Sequence, residues 1–342
     1  MLENKYFLFF FFILIVNFFL VKKYQLFAKF IGLYDVPNEY RKKHKLPIPL
    51  IGGFFLLINL IIFFLFEFFI INRVHLSDTY YLNNYFLDSK KEIFSFLFCS
   101  ICLFLIGFFD DKYNLDPFKK LLSSIVIFYI FFSLDNSLII NELNFTFIGY
   151  SIQLDELSLF ISIFLSVFFL NSINMYDGIN GLVGLTIFNI FIYFMLNNFM
   201  PMFALLLLIS ILFFLFLNLK GKIFFGDSGC YILSFILCYF FLRYYNSGLI
   251  KLDEIFLIFF LPLLDAVRVF ITRIFISGQP WKADDNHLHH RISKKYNNNV
   301  ALIILYLLSL FTILFVNFFS VNHIFSIFFA LIIYFFCFIK LR

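Results

Sequence analysis

The chain has 342 residues, of which 63% are hydrophobic and 14% charged, and its formal net charge at pH 7 is +5. A mean hydropathy of +0.95 leaves too little polar surface for a water-soluble domain of this size, and the apolar residues form long runs, not the alternating strands of a closed barrel. The positive balance suits basic loops beside a membrane and gives no reason to expect nucleic acid as a partner.

Eleven apolar runs follow one another, near residues 6–21, 50–71, 93–109, 121–134, 157–170, 180–197, 201–218, 229–243, 255–276, 300–318 and 323–339. They predict an all-α protein, a polytopic membrane helix bundle of about 11 transmembrane helices (10–11) forming a single domain over residues 1–342. The first run has no small-residue cleavage site and leads straight into lysines, so it is expected to be a retained span. The 61 phenylalanines reflect AT-rich codon usage better than any aromatic function. Cys99 and Cys102 sit inside an apolar run without a second pair or a nearby histidine, which favours packing over zinc or redox chemistry.

The loop after the first run carries Lys22, Lys23, Lys29, Arg41, Lys42, Lys43 and Lys45, which places it in the cytoplasm. Alternation then puts 110–120, 171–179, 219–228, 277–299 and the C-terminus on the same side. The segment 135–156 has Asp135, Glu142, Asp155 and Glu156 and neither Lys nor Arg, as an external loop should. Nearly every polar cluster that looks chemical falls on the cytoplasmic side of this threading.

The first such cluster interrupts "FLIGFFDDKYNLDPFKKLL" with Asp110 and Asp111, followed by Lys120. In "NSINMYDGINGL", Asn171, Asn174 and Asp177 recur every third residue and would share one side of a helix end. A polar interhelical seam would look the same. In "KIFFGDSGCY", Asp227 lies between Gly226 and Gly229 at a helix start, where a carboxylate either holds Mg²⁺ beside a phosphate or serves as an ordinary cap. Asp265 and Arg268 stand one turn apart in the ninth run, which is expected to be broken or bent near Pro262 and to open a groove. His287, His289 and His290, beside Asp284, Asp285 and Arg291, lack the H-E-x-x-H spacing of a zinc protease and suit a phosphate or pyrophosphate better.

At these motifs the chain resembles the polyprenyl-phosphate N-acetylhexosamine-1-phosphate transferase superfamily, glycosyltransferase family 4. The resemblance runs from "GLYDVPNEYRKKHKLPIPLIGG" to "HLHHR", most of the chain, through five motifs in order. It implies catalytic carboxylates at Asp110, Asp111 and Asp177 and a Mg²⁺ site (with Mn²⁺ as a substitute) on Asn174 and Asp227. Lys120, Asn171, Asp265, Arg268, His287, His289, His290 and Arg291 are the substrate-binding residues of that reading. The histidine pattern is closer to the N-acetylglucosamine branch than to the muramyl-pentapeptide branch, which stands as the alternative. A membrane transporter is the alternative from a different class; most ionisable residues lie at one interface, and no internal repeat supports it. Asn180 stands where many bacterial members carry aspartate, and Cys230 replaces a usual serine.

The implied partners are a UDP-N-acetylhexosamine, undecaprenyl phosphate and membrane lipid, with a homodimer left open. The implied location is a bacterial inner membrane, with the active site facing the cytoplasm.

Overall fold

The computed structural model describes residues 2–37, 46–71, 90–277, 286–318 and 323–340. Arg41, Lys42, Lys43, Lys45, Asp284 and Asp285 lie outside the described residues. Fourteen α-helices occupy the described part: α1 (Leu2–Lys22), α2 (Tyr24–Ile31), α3 (Gly52–Ile71), α4 (Lys90–Tyr113), α5 (Pro117–Leu134), α6 (Ser158–Tyr176), α7 (Leu182–Leu196), α8 (Pro201–Asn218), α9 (Gly226–Asn246), α10 (Leu252–Ile258), α11 (Phe260–Thr272), α12 (Leu288–Lys295), α13 (Asn298–Phe318) and α14 (Ile324–Lys340). Two short antiparallel pairs accompany them: β1 (Tyr34–Asp35) with β2 (Ile48–Pro49), and β3 (Glu142–Leu143) with β4 (Ile152–Gln153).

The protein is an all-α, multi-pass membrane protein. Six helices are long and apolar enough to cross a bilayer, two bent pairs pass the same test jointly, and three shorter apolar helices account for the remaining expected runs. Two details differ from the sequence reading. The segment after the first run is not a plain loop: α2 turns 74° away from α1. Its apolar Leu26, Phe27, Phe30 and Ile31 fall at helical spacing around Lys29, the make-up of a helix lying in a headgroup layer. The ninth run bends by 89°, but at Phe259 and not at Pro262. Proline in the first turn of α11 costs no hydrogen bond, because the first N–H groups of a helix have no partner there. Pro262 therefore sits just past the bend, and Phe259 is held by stacking on Phe169, with ring centroids 4.1 Å apart.

By proximity of the chain the molecule has two compact units, one made of residues 1–127 and 191–233, the other of 128–190 and 234–342. In the first, α1 and α3 pack on α8, and α3 packs on α4. Its core is a lattice of rings in which Phe63 and Phe203 lie 5.1 Å apart and Phe64 and Phe96 5.4 Å apart. Asn17 and Asn59, both fully buried, exchange two amide hydrogen bonds of 2.7 and 3.0 Å, a polar tie between α1 and α3 where no water can compete. Backbone pairing of Phe224 with Pro49 and Gly52 carries the start of α9 to the start of α3.

In the second unit α6 packs on α11, α13 receives α10, α11 and α12, and α14 packs on α13. Ser158, Ser162 and Ser166 form a buried stripe at four-residue spacing, and the hydroxyls of Ser162 and Ser166 return to the carbonyl four residues back at 2.7 Å. Small side chains there let neighbouring backbone come close. The hydroxyl of Ser162 also accepts the Ile140 N–H, and Ser166 accepts the thiol of Cys238.

Candidate active site

In the first unit the chemistry begins with two helix ends. α4 finishes on Asp110 and Asp111, an unfavourable place for carboxylates, because a helix C-terminus carries partial negative charge. α9 opens at Gly226, whose φ of +74° is a conformation glycine adopts at little cost. This turn aims the N–H groups of Asp227 and Ser228 at Asp111, which accepts them at 2.8 and 3.1 Å. The carboxylate of one helix thereby caps the positive end of another.

Asp110 is used differently. It accepts the Leu115 N–H at 2.8 Å, which fixes the turn into α5, and the Lys120 ammonium at 2.5 Å. Lys120 also reaches Asp227, at 3.5 Å. Exposure separates Asp110 from the other two: its side chain is 7% exposed, whereas Lys120 and Asp227 are 23% and 28% exposed and within reach of a solute.

Three carboxylates face one ammonium here. Asp227 shares a hydrogen bond with Asp110 and, among the described residues, receives no nitrogen donor on its carboxylate beyond the long lysine contact. A site with excess negative charge, hard oxygen donors and no thiolate suits a divalent cation such as Mg²⁺. The residues present fit that ion.

The other predicted residues belong to the second unit. Asn171 turns its amide onto the Val167 carbonyl of its own helix, at 2.8 Å. The half-buried Asn174 amide engages no other group among the described residues, so it is available to a ligand. Asp177 ends α6 and is exposed.

Asp265 and Arg268 are joined at 2.6 Å, and His287 Nδ1 lies 2.8 Å from the same carboxylate. His289 is buried, with its ring in the space that a Cβ on Gly178 would take and edge-on to Tyr176. Neither of its ring nitrogens has a hydrogen-bond partner among the described residues. The His290 ring lies against it, centroids 4.2 Å apart, and Arg291 stacks on Phe338.

Asp265, His287 and His289 come close enough to share a metal ion. However, Asp265 already accepts hydrogen bonds from Arg268, Tyr334, His287 and the Leu288 N–H. A carboxylate offers about four lone pairs, so none remains for a cation, and the neighbouring guanidinium opposes one. The group is a hydrogen-bonded latch. Its Tyr334 and Phe338, and Gly107 in α4, went unmarked in the sequence, since one tyrosine, phenylalanine or glycine in an apolar helix carries no signal of its own.

Burial holds the His289 imidazole well below the ordinary histidine value of 6.5. The unfolded chain therefore takes up this proton first, so the stability tied to the neutral ring is intact above about pH 6.5 and is lost as pH falls below it. The slope approaches about 1.4 kcal/mol per pH unit, one proton's worth. His289→Gln cannot titrate, and its melting temperature should fall less than that of the wild type between pH 7.5 and 5.5. Equal losses would contradict the assignment.

Residues 93–245, which contain Asp110, Asp111, Lys120, Asn174 and Asp227, match the model of glycosyl transferase family 4. The chain is 24% identical over 285 residues to the undecaprenyl-phosphate alpha-N-acetylglucosaminyl 1-phosphate transferase of Escherichia coli K12, covering 78% of this chain and 71% of that protein. The Haemophilus influenzae protein of the same name is 26% identical over 277 residues, 77% and 72% of the two chains. A phospho-N-acetylmuramoyl-pentapeptide-transferase of Staphylococcus saprophyticus is 29% identical over 212 residues, 56% of this chain and 60% of that one.

Proposed function

We propose, on the premise that this chain is a phosphoglycosyltransferase of glycosyl transferase family 4, that it moves an N-acetylhexosamine 1-phosphate from a UDP-sugar to undecaprenyl phosphate. N-acetylglucosamine is the first-choice sugar, since the names of the relatives that span most of the chain and the "HLHHR" segment both favour it. The observation that carries the reading is the constellation of Asp110, Asp111, Lys120 and Asp227 at the paired ends of α4 and α9.

In the reaction an oxygen of the lipid phosphate attacks the sugar-bearing phosphorus, the bond from that phosphorus to the UMP oxygen breaks, and UMP leaves. Phosphoryl-type transfer asks a protein mainly for alignment and charge neutralisation. Lys120 supplies a cation within reach of solute, Asp110 keeps it oriented, and Asp111 fixes the backbone that presents Asp227. Mg²⁺ held by Asp227 would neutralise the donor pyrophosphate, and Asn174 stays the second ligand that the family resemblance implies. Asp177 keeps the catalytic role that the resemblance implies, and Asn171 and the His289, His290 and Arg291 group are assigned to the donor.

The second unit also has room for the acceptor's tail. A cavity of about 390 Å³, almost wholly apolar, lies between α6, α9, α10 and α11 and is lined by Phe168, Phe169, Phe241, Phe256, Leu263 and Val267 among others. Such a lining suits a polyprenyl chain and offers nothing to a nucleotide. Leu263→Trp, which narrows it, should raise the KM for undecaprenyl phosphate about tenfold (near 1.4 kcal/mol) and leave the donor KM unchanged.

The reading places the enzyme in a bacterial inner membrane with its polar site toward the cytoplasm, where nucleotide sugars are. The test is purified protein with undecaprenyl phosphate and a panel of UDP-sugars, with and without EDTA. Metal-dependent UMP release that is fastest with UDP-N-acetylglucosamine is expected. Preference for a muramyl-pentapeptide donor would move the chain to the other branch, and no release with any donor would refute the reading.

A further inference from the structure

We infer that Tyr334 and Phe338, on the C-terminal helix α14, are positioning residues for the histidine segment, an inference that rests on the proposed function for its kinetic consequences. Neither lies near the motifs in sequence. Arg268 Nε can only donate, and it lies 2.8 Å from the Tyr334 oxygen, so that oxygen accepts there. The single Tyr334 hydrogen is then left for Asp265 Oδ1, also 2.8 Å away. Asp265, ionised beside Arg268, only accepts, so His287 must carry a proton on Nδ1. In the neutral ring Nε2 keeps its lone pair. The carboxylate that holds the proton on His287 Nδ1 is thus itself held by a tyrosine on α14.

The same contacts fix the backbone. Asp265 Oδ1 accepts the Leu288 N–H at 3.1 Å, and Arg268 donates to the Asn286 carbonyl at 2.6 Å. Residues 286–288 are therefore held at both ends of one short stretch, immediately before the first turn of α12. That turn carries His289, His290 and Arg291. Phe338 adds a platform: the guanidinium carbons of Arg268 and Arg291 lie 4.5 and 4.3 Å from its ring centroid. One ring on α14 thereby holds an arginine of α11 and an arginine of α12. Tyr334 is 1% exposed and touches no solute, so it acts through the groups it holds.

The experiment pairs exchange with kinetics on the purified full chain. Tyr334→Phe removes one hydroxyl. Phe338→Leu removes the platform and keeps an apolar side chain, and Phe338→Tyr restores the ring. Amide hydrogen exchange over 286–292 should quicken in Tyr334→Phe and Phe338→Leu and return to wild type in Phe338→Tyr. The donor KM should rise about tenfold in the first two variants, with the KM for undecaprenyl phosphate unchanged and the donor KM recovered in the third.

Unchanged exchange in both variants would overturn the latch. Quicker exchange with an unchanged donor KM, or equal losses toward both substrates, would overturn the positioning role. A wild-type protein that turned over no UDP-sugar would refute the functional reading instead, and the exchange result would still decide the latch.

Discussion

Asp227→Asn is expected to lower sugar-phosphate transfer to undecaprenyl phosphate by about a thousandfold while leaving the melting temperature within a few degrees of wild type. The substitution keeps the shape of the side chain. Asp111 grips the backbone N–H groups of residues 227 and 228, so the turn that starts α9 does not depend on the Asp227 carboxylate. Lys120 keeps its shorter partner, Asp110, at 2.5 Å. What is lost is one reachable negative charge, the one best placed for a divalent cation. Loss of activity without loss of fold is therefore the expected signature. Near-wild-type turnover, measured as lipid-linked product per minute, would remove Asp227 from the mechanism.

Gly107→Ala should do the reverse and damage the architecture first. Alanine is the best helix former, and on an exposed helix this change would gain about 1 kcal/mol. In α4 a Cβ at position 107 would run into the backbone of Asp227 and Ser228 at the start of α9. Backbone cannot swing aside as a side chain can, so the two helix ends must separate. Overpacking of this kind costs about 1–3 kcal/mol. Separation would also take Asp111 from the two N–H groups it caps. The expected result is a lower melting temperature together with activity below about one hundredth of wild type, the loss typical of a misplaced catalytic group. A variant as stable and active as the wild type would show that α4 and α9 do not meet as described.

The sequence displayed the membrane helices because hydropathy is a sum over many residues, and each apolar run emerged as a helix or a bent pair. Bends are set locally by packing. Pro262 marks the neighbourhood of the bend, and the chain turns three residues earlier, at Phe259, whose ring stacks on Phe169. The helix α2 was hidden because eight residues around Lys29 are too few for a hydropathy run.

Charged residues in so apolar a chain are conspicuous, so spacing and chemistry single out Asp110, Asp111, Lys120 and Asp227, which the fold brings together. Their division of labour is not legible there. Nothing in "DD" reveals that the second aspartate caps a helix 116 positions away while the first holds a lysine. Tyr334 and Gly107 matter only through what folding brings against them.

The most direct measurement follows the donor's second phosphorus. Purified protein would be given Mg²⁺, undecaprenyl phosphate and UDP-N-acetylglucosamine labelled at the phosphorus that bears the sugar. The account predicts that the label moves into the lipid fraction with the sugar, that unlabelled UMP is released in equal amount, and that chelating the metal stops both. Label left behind in water-soluble UDP, with sugar alone on the lipid, would contradict it.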